Sequence, residues 1–322
     1  MVVFPKNLTG HTRMPLRDTR TTCYRTLRAW GARDDLGVPT RTSPFAPSRV
    51  STRSPSNLAM RLVTTGIVAP LLLLLLYYGP VWGWTLLIFA ATAVSAAEFF
   101  NLSHPGDAVA RVFGVALTVS VAAVLYWYGG DARTLLTTIA ALPLLSILLA
   151  LIRLGDVRTA APRMAATVFG PLWLNLLMLL ALLRRDQGSA GPGYVLMTLM
   201  FAWMADTGAY FVGRRFGRHK LYQAVSPKKT LEGFMGALLG AMLGALLAHF
   251  WFLPSIPLVD ALLLAVAGGV LCQLGDLGES LLKRSTGVKD SGEIVPGHGG
   301  MLDRLDALFV TSALVYLYTR WR

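Results

Sequence analysis

A chain of 322 residues that is 54% hydrophobic and only 15% charged, with a mean hydropathy of +0.54, does not fit a soluble domain. Its apolar runs reach the roughly 17–20 residues that cross a hydrocarbon core, and they are continuous instead of alternating, which excludes a β-barrel and leaves spanning helices. The net charge of +13 comes without an aromatic-interleaved basic fold, so nucleic acid is not an expected partner, and two cysteines, Cys23 and Cys272, exclude a disulfide framework.

Residues 1–57 are rich in Arg, Thr, Ser and Pro and lack the apolar stretch of a secretory signal. Up to residue 60 the chain holds ten cations against three carboxylates, so +7 of the +13 precedes the first apolar segment. A basic, disordered N-terminal tail is the expectation. Arg-rich, acid-poor composition also suits an organelle transit peptide, and Met60, just before Arg61, offers a second translation start. The rest, 58–322, is expected to form one transmembrane domain.

Nine apolar segments follow, at about 62–78, 81–100, 112–128, 134–152, 165–183, 193–213, 233–253, 258–282 and 306–320. The expected fold is therefore all-α, a polytopic integral membrane protein with about nine transmembrane helices. Gly79-Pro80 joins the first two in a tight hairpin. Lys and Arg concentrate in alternate loops, 101–111, 153–164, 214–232 and 283–305, which places these loops in the cytoplasm. The pair Arg184-Arg185 stands against that bias.

The densest cluster of ionisable side chains outside the tail is Gln273–Asp306. Asp276, Glu279, Ser280 and Lys283 are spaced i, i+3, i+4, i+7 and form one polar stripe on a helix. A carboxylate such as Asp276 inside the membrane border is costly unless paired or metal-bound, and a structural ion pair is the plain alternative. Asp303 and Asp306 share a face at the start of the last segment. Helix capping explains one such carboxylate; two on one face fit Mg²⁺ ligation better. Between these acids lies Pro296-Gly297-His298-Gly299-Gly300, whose backbone can approach phosphate. His298 either positions phosphate or bonds locally. In the second polar region Asp206 and Tyr210 share a helix face. Ser226-Pro227-Lys228-Lys229-Thr230 resembles a helix start with Glu232 nearby, and its two lysines also suit phosphate. Arg214, Arg215 and Arg218 read as membrane-border anchors.

Ser280-x-Leu282-Lys283-Arg284-x4-Lys289-Asp290, followed by Pro296-Gly297-His298-Gly299-Gly300-x-x-Asp303-Arg304-x-Asp306, resembles the signature of the phosphatidate cytidylyltransferases, the CDP-diacylglycerol synthases. Asp206-Thr207-x-Ala209-Tyr210 and Ser226-Pro227-Lys228-Lys229-Thr230-x-Glu232-Gly233 are similar to that family's second region. The similarity covers roughly 60–322.

The resemblance implies an enzyme that joins CTP and phosphatidate into CDP-diacylglycerol and pyrophosphate. It implies a metal centre at Asp276, Asp303 and Asp306, with Lys283 at the active site and Mg²⁺, with room for a second cation, as cofactor. Phosphates are expected to meet Lys283, Arg284, Lys289 and Lys228 or Lys229, with Ser226, Asp290, His298 and Asp206 in the same substrate site. A bacterial inner membrane with the site on the cytoplasmic face is the expected location; membrane lipids are expected neighbours and a homodimer is left open. Two rivals remain: another CTP-dependent lipid kinase or transferase, and a transporter with Asp206 and Asp276 as ion sites.

Overall fold

The computed structural model describes residues 55–292 and 299–322, with the backbone alone for 55–65. Of the expected tail only its last three residues fall among these, and they open the first helix; His298 and Glu293 lie outside the described residues.

The elements in order are α1 (Pro55–Tyr77), α2 (Val81–Ser103), α3 (Ala108–Tyr128), α4 (Ala132–Ile152), α5 (Ala160–Leu174), α6 (Met178–Asp186) and α7 (Gly191–Phe216). A hairpin of β1 (Lys220–Tyr222) and β2 (Ser226–Thr230) follows, then α8 (Leu231–Leu247), α9 (Leu258–Ser285) and α10 (Leu302–Trp321). Seven stretches between Val81 and Ser285 are long and apolar enough to cross a membrane. α1 adds a shorter apolar run, Gly66–Tyr77, and α10 spans 20 residues with Asp303, Arg304 and Asp306 in its opening turns. The chain is a multi-pass, all-α membrane protein, with one small hairpin among the described residues.

Local chemistry sets most helix limits. Asp107 and Asp131 cap α3 and α4 by accepting backbone N–H bonds, and Thr230 caps α8 through Gly233 N–H at 3.1 Å. The expected helix start at Ser226–Thr230 is corrected in part: these residues form β2, paired antiparallel with β1, and only Thr230 caps. Glu232 accepts bonds from the Arg218 and His219 N–H groups and sits 2.7 Å from the His219 ring, so it ties down the hairpin entry. The fifth expected segment is also not one helix. It tightens to a 3-10 turn at Asn175–Leu177, where the Asn175 amide donates to the carbonyls of Pro171 and Thr118 and competes with the regular ladder.

Close packing of the C-terminal helices rests on glycine. A Cβ at Gly240 would lie 2.0 Å from the Met204 carbonyl oxygen, and one at Gly208 would lie 2.1 Å from that of Gly236. Gly236, Gly240 and Gly244 line one face of α8 at four-residue spacing, so α7 and α8 meet backbone to backbone, as small residues allow in lipid. A Cβ at Gly275 would lie 2.5 Å from the Asp306 carbonyl oxygen, which locks α9 against α10 beside Asp276.

Contacts join the four basic loops to one another or to the helix ends beside them. Asp107 pairs with Arg153 and Arg163, Glu98 reaches Met301, and Lys229 on β2 reaches Asp276. The opposite ends are linked too. Arg184 donates to the Leu76 carbonyl at 2.9 Å, and Arg185 bonds the Tyr126 carbonyl and lies over its ring. The dissenting arginine pair is therefore occupied by helix C-terminal carbonyls, where cations are favoured.

Candidate active site

A cavity of about 520 Å³ opens between α7, α8, α9, α10 and the hairpin, with Asp206, Lys228, Lys229, Asp276, Lys283, Asp303 and Asp306 in its wall. These seven were all expected from sequence. Arg284, Lys289, Asp290 and Ser226 do not line it: Arg284 donates to the Val288 carbonyl, Lys289 and Asp290 are exposed, and Ser226 is half-buried at the start of β2.

Two of the cavity's lysines, Lys229 and Lys283, are met by carboxylates. Lys229 Nζ lies 2.7 Å from Asp276 Oδ2, and Ser280 donates to Asp276 Oδ1 at 3.3 Å. One turn further along α9, Lys283 donates to Glu279 at 2.8 Å and to Asp303 at 2.5 Å. The i, i+3, i+4, i+7 stripe is thus helical, and it divides into two ion pairs. Glu279 is 1% exposed and its second oxygen has no partner. A buried carboxylate is tolerated only with its cation in place, so Glu279 and Lys283 depend on each other.

Asp303 is fully engaged. Its second oxygen accepts from the Ser291 N–H and hydroxyl and from the Gly300 N–H, at 3.1, 3.0 and 3.1 Å. The turn that brings Gly300 there passes through Gly299 at φ +86°, a left-handed position that favours glycine.

Asp306 stands in the field of Asp276 and Asp206, with Lys229 as the opposing cation; Asp206 likewise feels Asp276, Lys229 and Arg304. Three carboxylates, Asp206, Asp276 and Asp306, thus share Lys229, with Arg304 also acting on Asp206. Among the described residues no three of His, Cys, Asp or Glu stand close enough to hold a metal as placed. The expected trio of Asp276, Asp303 and Asp306 is therefore not assembled as a cage: Asp303 faces Lys283, while Asp206 shares its field with the other two. Hard carboxylate oxygens in partial supply fit Mg²⁺, which keeps water and substrate oxygens in its shell.

Sequence reading missed two participants, Glu98 and Ser291. Glu98 is the only ionisable residue in α2 and is 2% exposed. A lone acid inside an apolar segment is itself a signal.

A model of the cytidylyltransferase family matches residues 59–321. The phosphatidate cytidylyltransferase of Staphylococcus aureus is 44% identical over 138 residues, 40% of this chain and 50% of that protein. Those of Staphylococcus saprophyticus and Bacillus subtilis are 43% and 42% identical over 130 and 134 residues, again covering 50% of each and 40% and 41% of this chain. The chain spans about half the length of the curated relatives it matches. A family match that runs from the first spanning helix to the last, over the helices that build the cavity, leaves one conclusion: the chain belongs to the cytidylyltransferase family.

Proposed function

We propose that the chain transfers the cytidylyl group of CTP to phosphatidate, giving CDP-diacylglycerol and pyrophosphate. The observation that carries this reading is one cavity at a membrane border where Asp206, Asp276 and Asp306 face Lys228, Lys229 and Lys283. The relatives are named for this activity, and the chemistry suits the wall. A phosphate oxygen of phosphatidate attacks the α-phosphorus of CTP, the bond from that phosphorus to its bridging oxygen breaks, and pyrophosphate leaves with the electron pair. Two polyanions must meet, so fixed cations and preset geometry supply most of the acceleration.

Lys229 and Lys283 are held by Asp276, Glu279 and Asp303, so their ammonium groups are positioned before phosphate arrives. Lys228 makes no ion pair among the described residues and reaches the same wall. Asp276 and Asp306, with Asp206 beside them, would be the oxygen donors for Mg²⁺, and Asp303 would join only if Lys283 released it. Bound there, Mg²⁺ supplies Lewis-acid charge that offsets the phosphates and the pyrophosphate leaving group. Phe211 on α7 and Met235 on α8 are exposed and offer an apolar flank for acyl chains, with the headgroup entering from the side. The Lys and Arg bias puts the cavity on the cytoplasmic face.

The test is to incubate the purified chain with CTP and phosphatidate, with Mg²⁺ and with a chelator. Pyrophosphate and CDP-diacylglycerol are expected with Mg²⁺ only. Release of CDP in place of pyrophosphate assigns the chain to γ-phosphate transfer and overturns the reading.

A further inference from the structure

Glu98 sits near the end of α2, yet its partners lie about two hundred residues later. One carboxylate oxygen accepts the Met301 N–H at 2.9 Å. The other accepts the Leu302 N–H at 2.8 Å and the Ser291 hydroxyl at 3.1 Å. These two N–H groups are opening donors of α10, the ones a helix cannot satisfy within itself. α10 is therefore capped by a carboxylate from a different helix, and its dipole favours that charge.

The contact extends to the cavity. The Ser291 hydroxyl has a single proton and stands within bonding distance of both Glu98 and Asp303. Asp303 in turn holds Lys283. Backbone on both sides of the loop is pressed against the same carboxylate: a Cβ at Gly292 or at Gly300 would lie 2.6 Å from a Glu98 oxygen. Only glycine permits this approach without displacing Glu98.

We propose that Glu98 is a positioning residue for the transfer reaction: it fixes the first turn of α10, and through Ser291 the Asp303–Lys283 pair, in register with Asp276. The inference rests on the nucleotidyl-transfer reading above. Glu98 itself is not among the described residues that line the cavity and need not touch substrate.

The experiment compares the full-length wild type with Glu98→Ala, Glu98→Gln and Ser291→Ala. Turnover by pyrophosphate release is scaled to folded protein, KM for CTP is measured, and amide hydrogen exchange is followed. Glu98→Ala is expected to lower kcat about a hundredfold, the scale of an ångström-sized misplacement, with little change in KM because the β2 lysines stay in place. Glu98→Gln keeps one good acceptor and is expected to lose about tenfold. Exchange at Met301 and Leu302 should quicken in both, while α7 and α8 stay protected. Should Glu98→Ala fail to fold, Ser291→Ala decides, with an expected loss of about tenfold while Glu98 keeps its backbone bonds.

Wild-type kcat in the variants that fold overturns the proposal. So does exchange that quickens uniformly across all helices, which marks a merely structural loss. Wild-type protein that releases no pyrophosphate removes the transfer reading instead, and this role with it, so the two failures are told apart.

Discussion

Two ion-pair systems on the same side of the molecule look alike in sequence and differ in use. At the ends of α2 and α4, Asp107 caps α3 and binds Arg153 and Arg163 at 3.2 and 2.8 Å. Burial opposes its charge, but the Ala110 N–H and the two guanidinium groups outweigh that and hold its carboxyl at about 2. Beside it His104 is buried, within reach of Ser103 and Thr167, and burial with the nearby Arg163 lowers it to about 4. That cluster encloses no more than a water-sized space. In the second system, at α9 and α10, Lys229–Asp276 and Lys283–Asp303 line a wide cavity and carry more carboxylates than they need for mutual neutralisation. The first is a closed staple, with one carboxylate held by two guanidinium groups and the Ala110 N–H. A site keeps a surplus that substrate or metal must complete.

The contrast can be broken most sharply at Asp276. Asp276→Asn is expected to cut turnover by about a thousandfold, the scale for loss of one preset electrostatic group, with normal membrane insertion and an unchanged unfolding midpoint. Turnover close to wild type would move the acid centre elsewhere.

Lys283→Met comes next. It leaves Glu279 and Asp303 without their cation, so about a hundredfold loss of kcat should come with a destabilisation of about 3–5 kcal/mol. Adding Asp303→Asn to Lys283→Met should recover part of the midpoint and none of the turnover. Recovery of both would make the pair a staple like that at Asp107.

Gly275→Ala probes the helix crossing alone. Its methyl group would press on the Asp306 carbonyl and shift α10, so turnover should fall about tenfold by misplacement with the charges intact.

The smallest effects belong to the first system. Asp107→Asn is expected to lower the unfolding midpoint by about 2–4 °C, as for a loss near 1 kcal/mol, and to leave turnover unchanged. The pH sign follows from the two groups. His104 binds its proton less readily folded than unfolded, so stability should fall as pH drops from 6.5 toward 4. Asp107 is depressed, so its contribution is full above pH 3.8 and lost as pH falls through about 2. Midpoints measured across this range on His104→Gln should lack the first decline.

Much of the site was legible because helix periodicity alone gathers Asp276, Glu279, Ser280 and Lys283, and because charges inside apolar sequence stand out. The alternation of basic loops brought β2 and the α9–α10 loop to one side before any contact was seen. Glu98 was visible as a lone acid but had no local partner to explain it. The β2 strand was hidden because Ser226–Thr230 carries a real helix cap at its last residue, Thr230.

Sequence by itself determined that the chain is a bundle of membrane helices, which way its loops face, and which acids and lysines lie near one border. Continuous hydrophobicity, the positive bias and i, i+4 spacing are local properties that need no partner. Tertiary structure decided which lysine serves which acid, that Asp206 rather than Asp303 shares the field of Asp276 and Asp306, and that α10 is capped from α2. Those choices depend on where helices cross, and the crossings are set by glycines such as Gly240 and Gly275, whose missing side chains mean nothing until a neighbouring backbone arrives.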